Sequence, residues 1–282
     1  MNSQPVRAAL WMGVAVLSFS IMAVAVRELL RHMGIFEILF LRTVGMLALT
    51  LAAGARAGFA TLGTRRFAGH FGRAAMHLGG QWCWMYAIAY LTLATVFAIE
   101  FTMPVWVAVF AVFFLGERMT RNRLVMLALG LAGVAVILRP GMGEFHPAAL
   151  VMLLGAAFFA GNMIMTKRLA STESPLGVLL WMSLIQTPVT LATALPEWVT
   201  PQLADLPWVV AIGSGSFAAH YALTRSMKLG DATLVVPIDF LRLPLIALVG
   251  AAFYAEPLQW QTFAGAAVIF AGTYYSLTRE RA

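Results

Sequence analysis

The second half of this chain repeats the first at a fixed offset of 139 residues. Phe114-Leu115-Gly116-Glu117 returns as Phe253-Tyr254-Ala255-Glu256, and each glutamate stands sixteen residues before a glycine, Gly133 in one half and Gly272 in the other. The same offset carries Glu100 onto Asp239, each the single carboxylate of a proline-bearing apolar stretch. A duplicated unit must bury its two copies against one another, which restricts the architecture more than composition alone can. Where such units are apolar and their halves meet around polar groups at membrane depth, the arrangement is that of many secondary transporters.

Composition decides the solvent. Of 282 residues 61% are hydrophobic and 11% charged, too little polar sequence to cover a soluble globule. The apolar residues fall in helix-length runs rather than the alternating segments of roughly 10 residues expected of an outer-membrane barrel. Uncharged stretches cover 8–26, 145–166, 174–196, 206–224 and 257–278. Each is near the ~20 residues that span a hydrocarbon core. The run 74–99 breaks at Tyr90-Leu91-Thr92-Leu93 and supplies a third helix and the start of a fourth, while 124–138 is shorter but flanked by Arg123 and Arg139, which can snorkel outward. The second helix, 38–55, carries Arg42; the ninth, 232–255, carries Asp239 and Arg242. The expectation is an all-α polytopic membrane protein of ten transmembrane helices, with residues 1–140 and 141–282 forming two five-helix repeats around a central cavity. The first apolar run lacks a cleavage site and reads as a retained helix. Cys83, the single cysteine, reads as a packing residue of the third helix.

Charge placement sets direction. With ten helices, only Arg27, Arg31 and Arg139 fall on the side opposite the N-terminus and Arg42 and Arg242 lie within helices; the rest of the nineteen basic residues sit on the N-terminal side. By the positive-inside rule both termini are expected in the cytoplasm, across the inner (cytoplasmic) membrane. Five helices per repeat is an odd number, so the second copy enters the bilayer inverted, and two inverted copies can exchange conformations to alternate access. The net charge of +7 is explained by these loops, and no basic domain exists to bind nucleic acid.

The polar groups form two related stripes. His77, Gln81 and Trp84 fall on one face of the third helix at i, i+4 and i+7, as do Ser216, His220 and Thr224 on the eighth. The offset maps His77 onto Ser216 and Gln81 onto His220, so the stripes are expected to face each other across the cavity. Hydrogen bonding between neighbouring helices is the structural alternative for each. Glu100 and Asp239 are the sharper signal, since an ionisable side chain at bilayer depth is costly and faces a bundle interior or a wet cavity. Pro104, Pro237 and Pro244 remove helix hydrogen bonds around them and are candidate hinges. Asp239 and Arg242, three residues apart, alternatively form a structural ion pair. Arg42 is read as structural, snorkelling to the interface or pairing with Glu37. Trp82, Tyr86, Phe101, Trp106 and Trp181 are candidates to stack on an organic substrate or to hold an ammonium group. Ala128-xxx-Ala132 and Ala267-xxx-Ala271 offer small-residue spacing for close helix contact or a dimer, leaving monomer and homodimer both open.

On these features the sequence resembles the EamA branch of the drug/metabolite transporter superfamily over essentially its whole length. The residues that carry the resemblance are Ile38-Leu39-Phe40-Leu41-Arg42, Met103-Pro104 followed by Phe114-Leu115-Gly116-Glu117, and Gly130-Leu131-Ala132-Gly133. In the second half they are Leu243-Pro244 followed by Tyr254-Ala255-Glu256, then Gly265 and Gly272. The proline-to-glutamate spacing is thirteen in the first half and twelve in the second, which predicts a different bend in the ninth helix. Met126 also stands where the second half has Gly265. The resemblance implies a ten-helix carrier that exports small metabolites, amino acids foremost and aromatic ones given the aromatic supply, with nucleosides or drugs as alternatives. Glu117 and Glu256 are then helix-end caps or gate elements.

The expected substrate is a small organic molecule, with Asp239 or Glu100 facing its ammonium group and Arg242 its carboxylate. Protons are a candidate coupling ion; uniport, exchange and antiport all stay open. No cofactor and no metal is called for. An intramembrane enzyme is the competing class, but Ala211-Ile212-Gly213-Ser214-Gly215 lacks the order of a membrane serine protease and no His-Glu-x-x-His motif is present. Nor does any loop resemble a channel filter.

Overall fold

The computed structural model describes residues 3–58, 62–115, 118–139, 146–170, 172–229 and 238–279. Their α-helices are α1 (Ser3–Leu29), α2 (Ile35–Ala57), α3 (Phe67–Tyr90), α4 (Leu93–Glu100), α5 (Met103–Leu115) and α6 (Arg121–Leu138), followed by α7 (Ala148–Ala170), α8 (Pro175–Ala194), α9 (Leu206–Leu229), α10 (Arg242–Tyr254) and α11 (Trp260–Arg279). No strand occurs among the described residues. Local chemistry marks the starts: Thr92, Thr120 and Ser174 each accept a hydrogen bond from the backbone N–H three residues on, and Pro175 occupies the first turn of α8. Six helical segments are long and apolar enough to cross a membrane: 4–29, 35–57, 93–113, 121–138, 148–166 and 175–197. The protein is therefore a polytopic helical membrane protein. The third, eighth and tenth predicted spans correspond to α3, α9 and α11, which are of spanning length but carry polar side chains at intervals. The ninth begins outside the described residues.

The offset governs the helix ends. It maps α3 onto α9 and α5 onto α10 residue for residue, and α6 onto α11 at its first residue. The one-residue proline slip therefore does not displace the bend of the second half, contrary to expectation. In both halves the helix breaks just after the carboxylate: α4 stops at Glu100 and α5 starts at Met103, while Asp239 and Phe240 are helical, Leu241 is a turn and α10 starts at Arg242. Pro104 in the first turn of α5 cannot donate to the Glu100 carbonyl, which explains a break there. Pro244 occupies the same turn of α10 one residue later, so either placement frees a carbonyl at the break. Pro237 and the start of the ninth predicted helix lie outside the described residues, as does Glu117.

Packing follows the same exchange. α1 packs along α9 and α7 along α3, pairs that the offset interconverts, while α2 packs on α8 and α6 on α11, each on its own counterpart. In the last pair a Cβ on Gly133 would stand 2.6 Å from the Gly265 carbonyl oxygen, and one on Gly272 3.4 Å from the Met126 Cα. As residue number rises along α6 it falls along α11, so these two equivalent helices run antiparallel. Glycine, by lacking a side chain, is what lets the backbones meet. Ala128, Ala132, Ala267 and Ala271, the small residues singled out in the sequence for close helix contact or a dimer, lie on exposed faces of the two helices and do not make this crossing. Cys83 is buried against Gly155, as expected of a packing residue.

Candidate functional site

The two broken helices bring the repeat-related carboxylates to one cation. Arg242 Nη2 lies 3.1 Å from Glu100 Oε1 and 3.3 Å from Asp239 Oδ2. Its guanidinium is packed among Phe19, Phe97 and Phe101, at 4.9, 4.8 and 5.2 Å from their ring centroids. Trp84 Nε1 donates to the second oxygen of Glu100 at 2.8 Å. Phe101 and its counterpart Phe240 stack face to face, centroids 4.0 Å apart at 14°. The position equivalent to Arg242 is Met103, so two carboxylates are served by a single guanidinium. Arg242 is thus ion-paired twice within the protein through Nη2, the structural alternative raised from the sequence now extended to Glu100. Asp239 Oδ1 and Arg242 Nε are each buried with no hydrogen-bond partner.

A second polar group lies nearer the N-terminal face. His77 Nε2 and His220 Nε2 are 3.3 Å apart across α3 and α9, so the two predicted stripes do meet. Gln186 Nε2 donates to the Ala74 carbonyl at 2.8 Å and to His77 Nδ1 at 3.2 Å. Since the amide nitrogen donates, the His77 proton belongs on Nε2, where it points at His220. Behind Gln186 stands Arg42, fully buried, donating to Ser216 Oγ at 2.7 Å and Gln186 Oε1 at 3.4 Å. Arg42 therefore does not snorkel, and Glu37 instead accepts from the Val199 backbone N–H at 3.2 Å. Ser216 serves Arg42 rather than the cavity. Arg73, one of the basic residues counted on the N-terminal side, is buried in the second turn of α3 and donates to Thr166 Oγ1 at 2.6 Å.

The charge cluster and the histidine pair line a cavity of about 600 Å³. Of the predicted residues, His77, Gln81, Trp84, Glu100 and Phe101 border it from the first half and His220, Asp239 and Arg242 from the second, with Pro104 at the α5 turn. From the charge cluster it runs toward the N-terminal face, where Met227 and Leu277 border it. Seven predicted residues are not part of this lining: Trp106, Ser216, which holds Arg42, Thr224, whose hydroxyl donates to the His220 carbonyl at 2.8 Å, and Trp82, Tyr86, Trp181 and Pro244. Trp82 and Tyr86 stack on each other, centroids 5.7 Å apart, on a different face of α3. Trp181 donates to the Leu62 carbonyl at 3.0 Å and packs on Phe67, fastening the chain before α3. Pro244 is on the exposed side of α10. Sequence reasoning missed Phe19, Asn162 and Thr273, which line the cavity, and Gln186, whose signal was a lone amide in the middle of an uncharged span.

The opposite end is closed. The largest cluster of buried apolar residues, including Val26, Leu29, Ile88, Phe97 and Ile246, fills that half of the molecule. Across it Glu256 forms an ion pair with Arg27 and accepts from the Leu93 backbone N–H at 2.8 Å, while Arg27 donates to the Leu91 carbonyl at 2.7 Å. Tyr254 adds a hydrogen bond to Glu28 at 2.8 Å. This clasp ties the end of α1 to the α3–α4 turn and the α10–α11 connection. Burial pushes the Glu256 carboxyl above the ordinary carboxylate range, and Arg27 and the Leu93 N–H draw it back.

The model of the EamA-like transporter family matches the chain twice, over residues 6–139 and 146–278. The chain belongs to that family. Its similarity to individual members is spread over nearly full length: 30% identity over 249 residues to a riboflavin transporter of Brucella anthropi, covering 86% of this chain and 88% of that protein. An S-adenosylmethionine uptake transporter of Rickettsia bellii is 27% identical over 96% of this chain and 93% of its own. A pseudopaline exporter of Pseudomonas aeruginosa is 28% identical over 91% and 90%. A solved crystal structure shares the fold, with TM-score 0.69 at 21% identity over 97% of both chains. Family and relatives are thus named as transporters and not enzymes, and they support a small-molecule substrate in a bilayer setting.

Proposed function

We propose that this EamA-family protein is a secondary carrier that moves a small organic metabolite across the cytoplasmic membrane by alternating access. The carrying observation is the cavity: it holds the two repeat-related carboxylates at its inner end, reaches toward one face, and is shut off from the other by a clasp of Arg27 and Glu256. Ten spans in two inverted repeats, 1–140 and 141–282, are supported by the antiparallel crossing of α6 and α11 and by the double family match. The basic loops support cytoplasmic termini, which makes the described state open to the inside. Amino-acid export, expected from the aromatic supply, gains no support from relatives named for riboflavin, S-adenosylmethionine and pseudopaline, and the proposal does not carry it forward as the favoured cargo. Glu100 and Asp239 sense the cargo's charge, Phe101 and Phe240 form the wall against which it rests, and the break at Pro104 is the hinge.

Flux into proteoliposomes tests this reading. Purified protein is expected to give saturable counterflow of at least one compound in a panel of riboflavin, S-adenosylmethionine, nucleosides and aromatic amino acids, reduced about tenfold or more by Asp239→Asn with expression unchanged. No flux above empty vesicles for the whole panel contradicts it. Repeating the measurement with and without an imposed pH gradient separates proton antiport from exchange and uniport.

A further inference from the structure

Two buried arginines lie on the N-terminal side of the charge cluster with no carboxylate at ion-pair distance among the described residues. Arg42 is held by the neutral groups of Ser216 and Gln186, and Arg73 by Thr166 Oγ1 and, at 3.5 Å, the Val178 carbonyl. Guanidinium groups at membrane depth are costly when no counter-charge accompanies them. Both bear on the cavity through His77. Gln186 joins Arg42 to its Nδ1, and Arg73 lies one turn earlier on the same helix. His77 and His220 are the groups that this positive region presents to the cavity.

The other pole has the opposite imbalance. Glu100 and Asp239 share one guanidinium, so when ionised they leave an excess negative charge, and Asp239 Oδ1 is buried and unpartnered. His77 and Trp84, the latter bonded to Glu100, are seven residues apart on α3, a rise of about 10 Å. Gln81 lies between them on the same face, and its buried Oε1 also lacks a partner.

We infer that the cargo is an elongated dipolar molecule, its cationic group at Asp239 and its anionic group at the His77–His220 pair, with a hydrogen-bond donor between them facing Gln81. This names the substrate class within the carrier reading above. An anion at the histidine pair supplies the counter-charge that Arg42 and Arg73 lack, and a cation at Asp239 completes the other pole. An α-amino acid, whose charges share one carbon, satisfies only one pole at a time.

Length-graded ω-amino carboxylates, from aminobutanoate to aminooctanoate, test this by binding to the full-length protein in nanodiscs. The probes need not be transported, so the result is independent of flux. Affinity is expected to rise with length toward aminooctanoate, and to fall about tenfold when the carboxylate is methylated or the amine acetylated. His220→Phe, which removes the one ring N–H of the pair not already engaged by a neighbour, is expected to remove the penalty for methylation alone, and Asp239→Asn the penalty for acetylation alone. Equal affinity of free and capped probes, or an optimum at the shortest one, overturns the dipolar assignment; both comparisons use the wild-type protein and survive a variant that fails to fold. If flux is absent while the length and capping pattern holds, the carrier reading falls and the dipolar site stands.

Discussion

The two ends of this molecule are built differently. At the end remote from the N-terminus, side chains from α1, α3, α4 and α10 merge into one large apolar cluster, and the Arg27–Glu256 clasp crosses it. Toward the N-terminal face the buried apolar residues form three small separate clusters, with the cavity opening among them. Since the sequence is a repeat, each device at one end has a counterpart position at the other: the offset puts Glu117 where Glu256 stands in the second half. The difference teaches that symmetry of sequence is compatible with asymmetry of state, which is the condition for a carrier that exchanges one closed end for the other.

The boundary between the ends is where the largest effect is expected. Arg242→Met removes the cation that pairs with both Glu100 and Asp239 and leaves two carboxylates facing each other, a loss of about 3–5 kcal/mol by the cost of breaking a buried pair. Denaturant unfolding in mixed micelles measures it, and a change under 1 kcal/mol would show that the cluster does not hold the halves together. Next is Gly265→Val at the α6–α11 crossing. Its Cβ would stand 2.5 Å from the Gly133 carbonyl oxygen and from Ile137, and since one obstacle is backbone the expected loss is about 3 kcal/mol, the upper end for overpacking. Gly13→Ala, where no atom of the described residues lies within 4 Å of the new Cβ, is the control for crowding.

Smaller effects separate the two ends further. Glu256→Gln weakens the ion pair with Arg27 and a charge-assisted bond to Leu93, for an expected loss of about 2 kcal/mol. A double-mutant cycle with Arg27→Met is expected to return most of that as coupling, and additivity would mean that the clasp contributes nothing to closure. At the open end Trp181→Phe deletes the bond to the Leu62 carbonyl and part of the ring packing on Phe67 and His70. It is expected to cost about 1 kcal/mol and to leave flux unchanged, and a large loss of flux would return Trp181 to the substrate path.

How much was legible in the sequence follows from where the information sits. The prolines marked the bends beside Glu100 and Asp239, because backbone breaks depend on nearby residues, though each proline reads as a kink within one helix and not as a division into two; what the offset carried was the correspondence of the halves. It also paired Glu100 with Asp239, and helical spacing put His77 and Gln81 on one face. Arg42 was not legible: its burial depends on Gln186 and Ser216, contributed by the other half of the chain, and a lone arginine near a helix start looks the same whether it snorkels or not. Trp82 and Tyr86 were avoidable errors of placement, since they lie on a different face of α3 from His77, Gln81 and Trp84. Aromatic content by itself carries no direction.

The central claim is that the cavity opens at the N-terminal face and the Arg27–Glu256 clasp seals the other. Labelling of a single cysteine by a membrane-impermeant maleimide tests it most directly, using Cys83→Ser with Gln81→Cys in vesicles of each orientation. The expected result is rapid reaction from the N-terminal side, slow reaction from the opposite side, and acceleration of the slow reaction when Glu256→Gln is added. Equal reaction from both sides that Glu256→Gln leaves unchanged, or faster reaction from the clasp side, would contradict it.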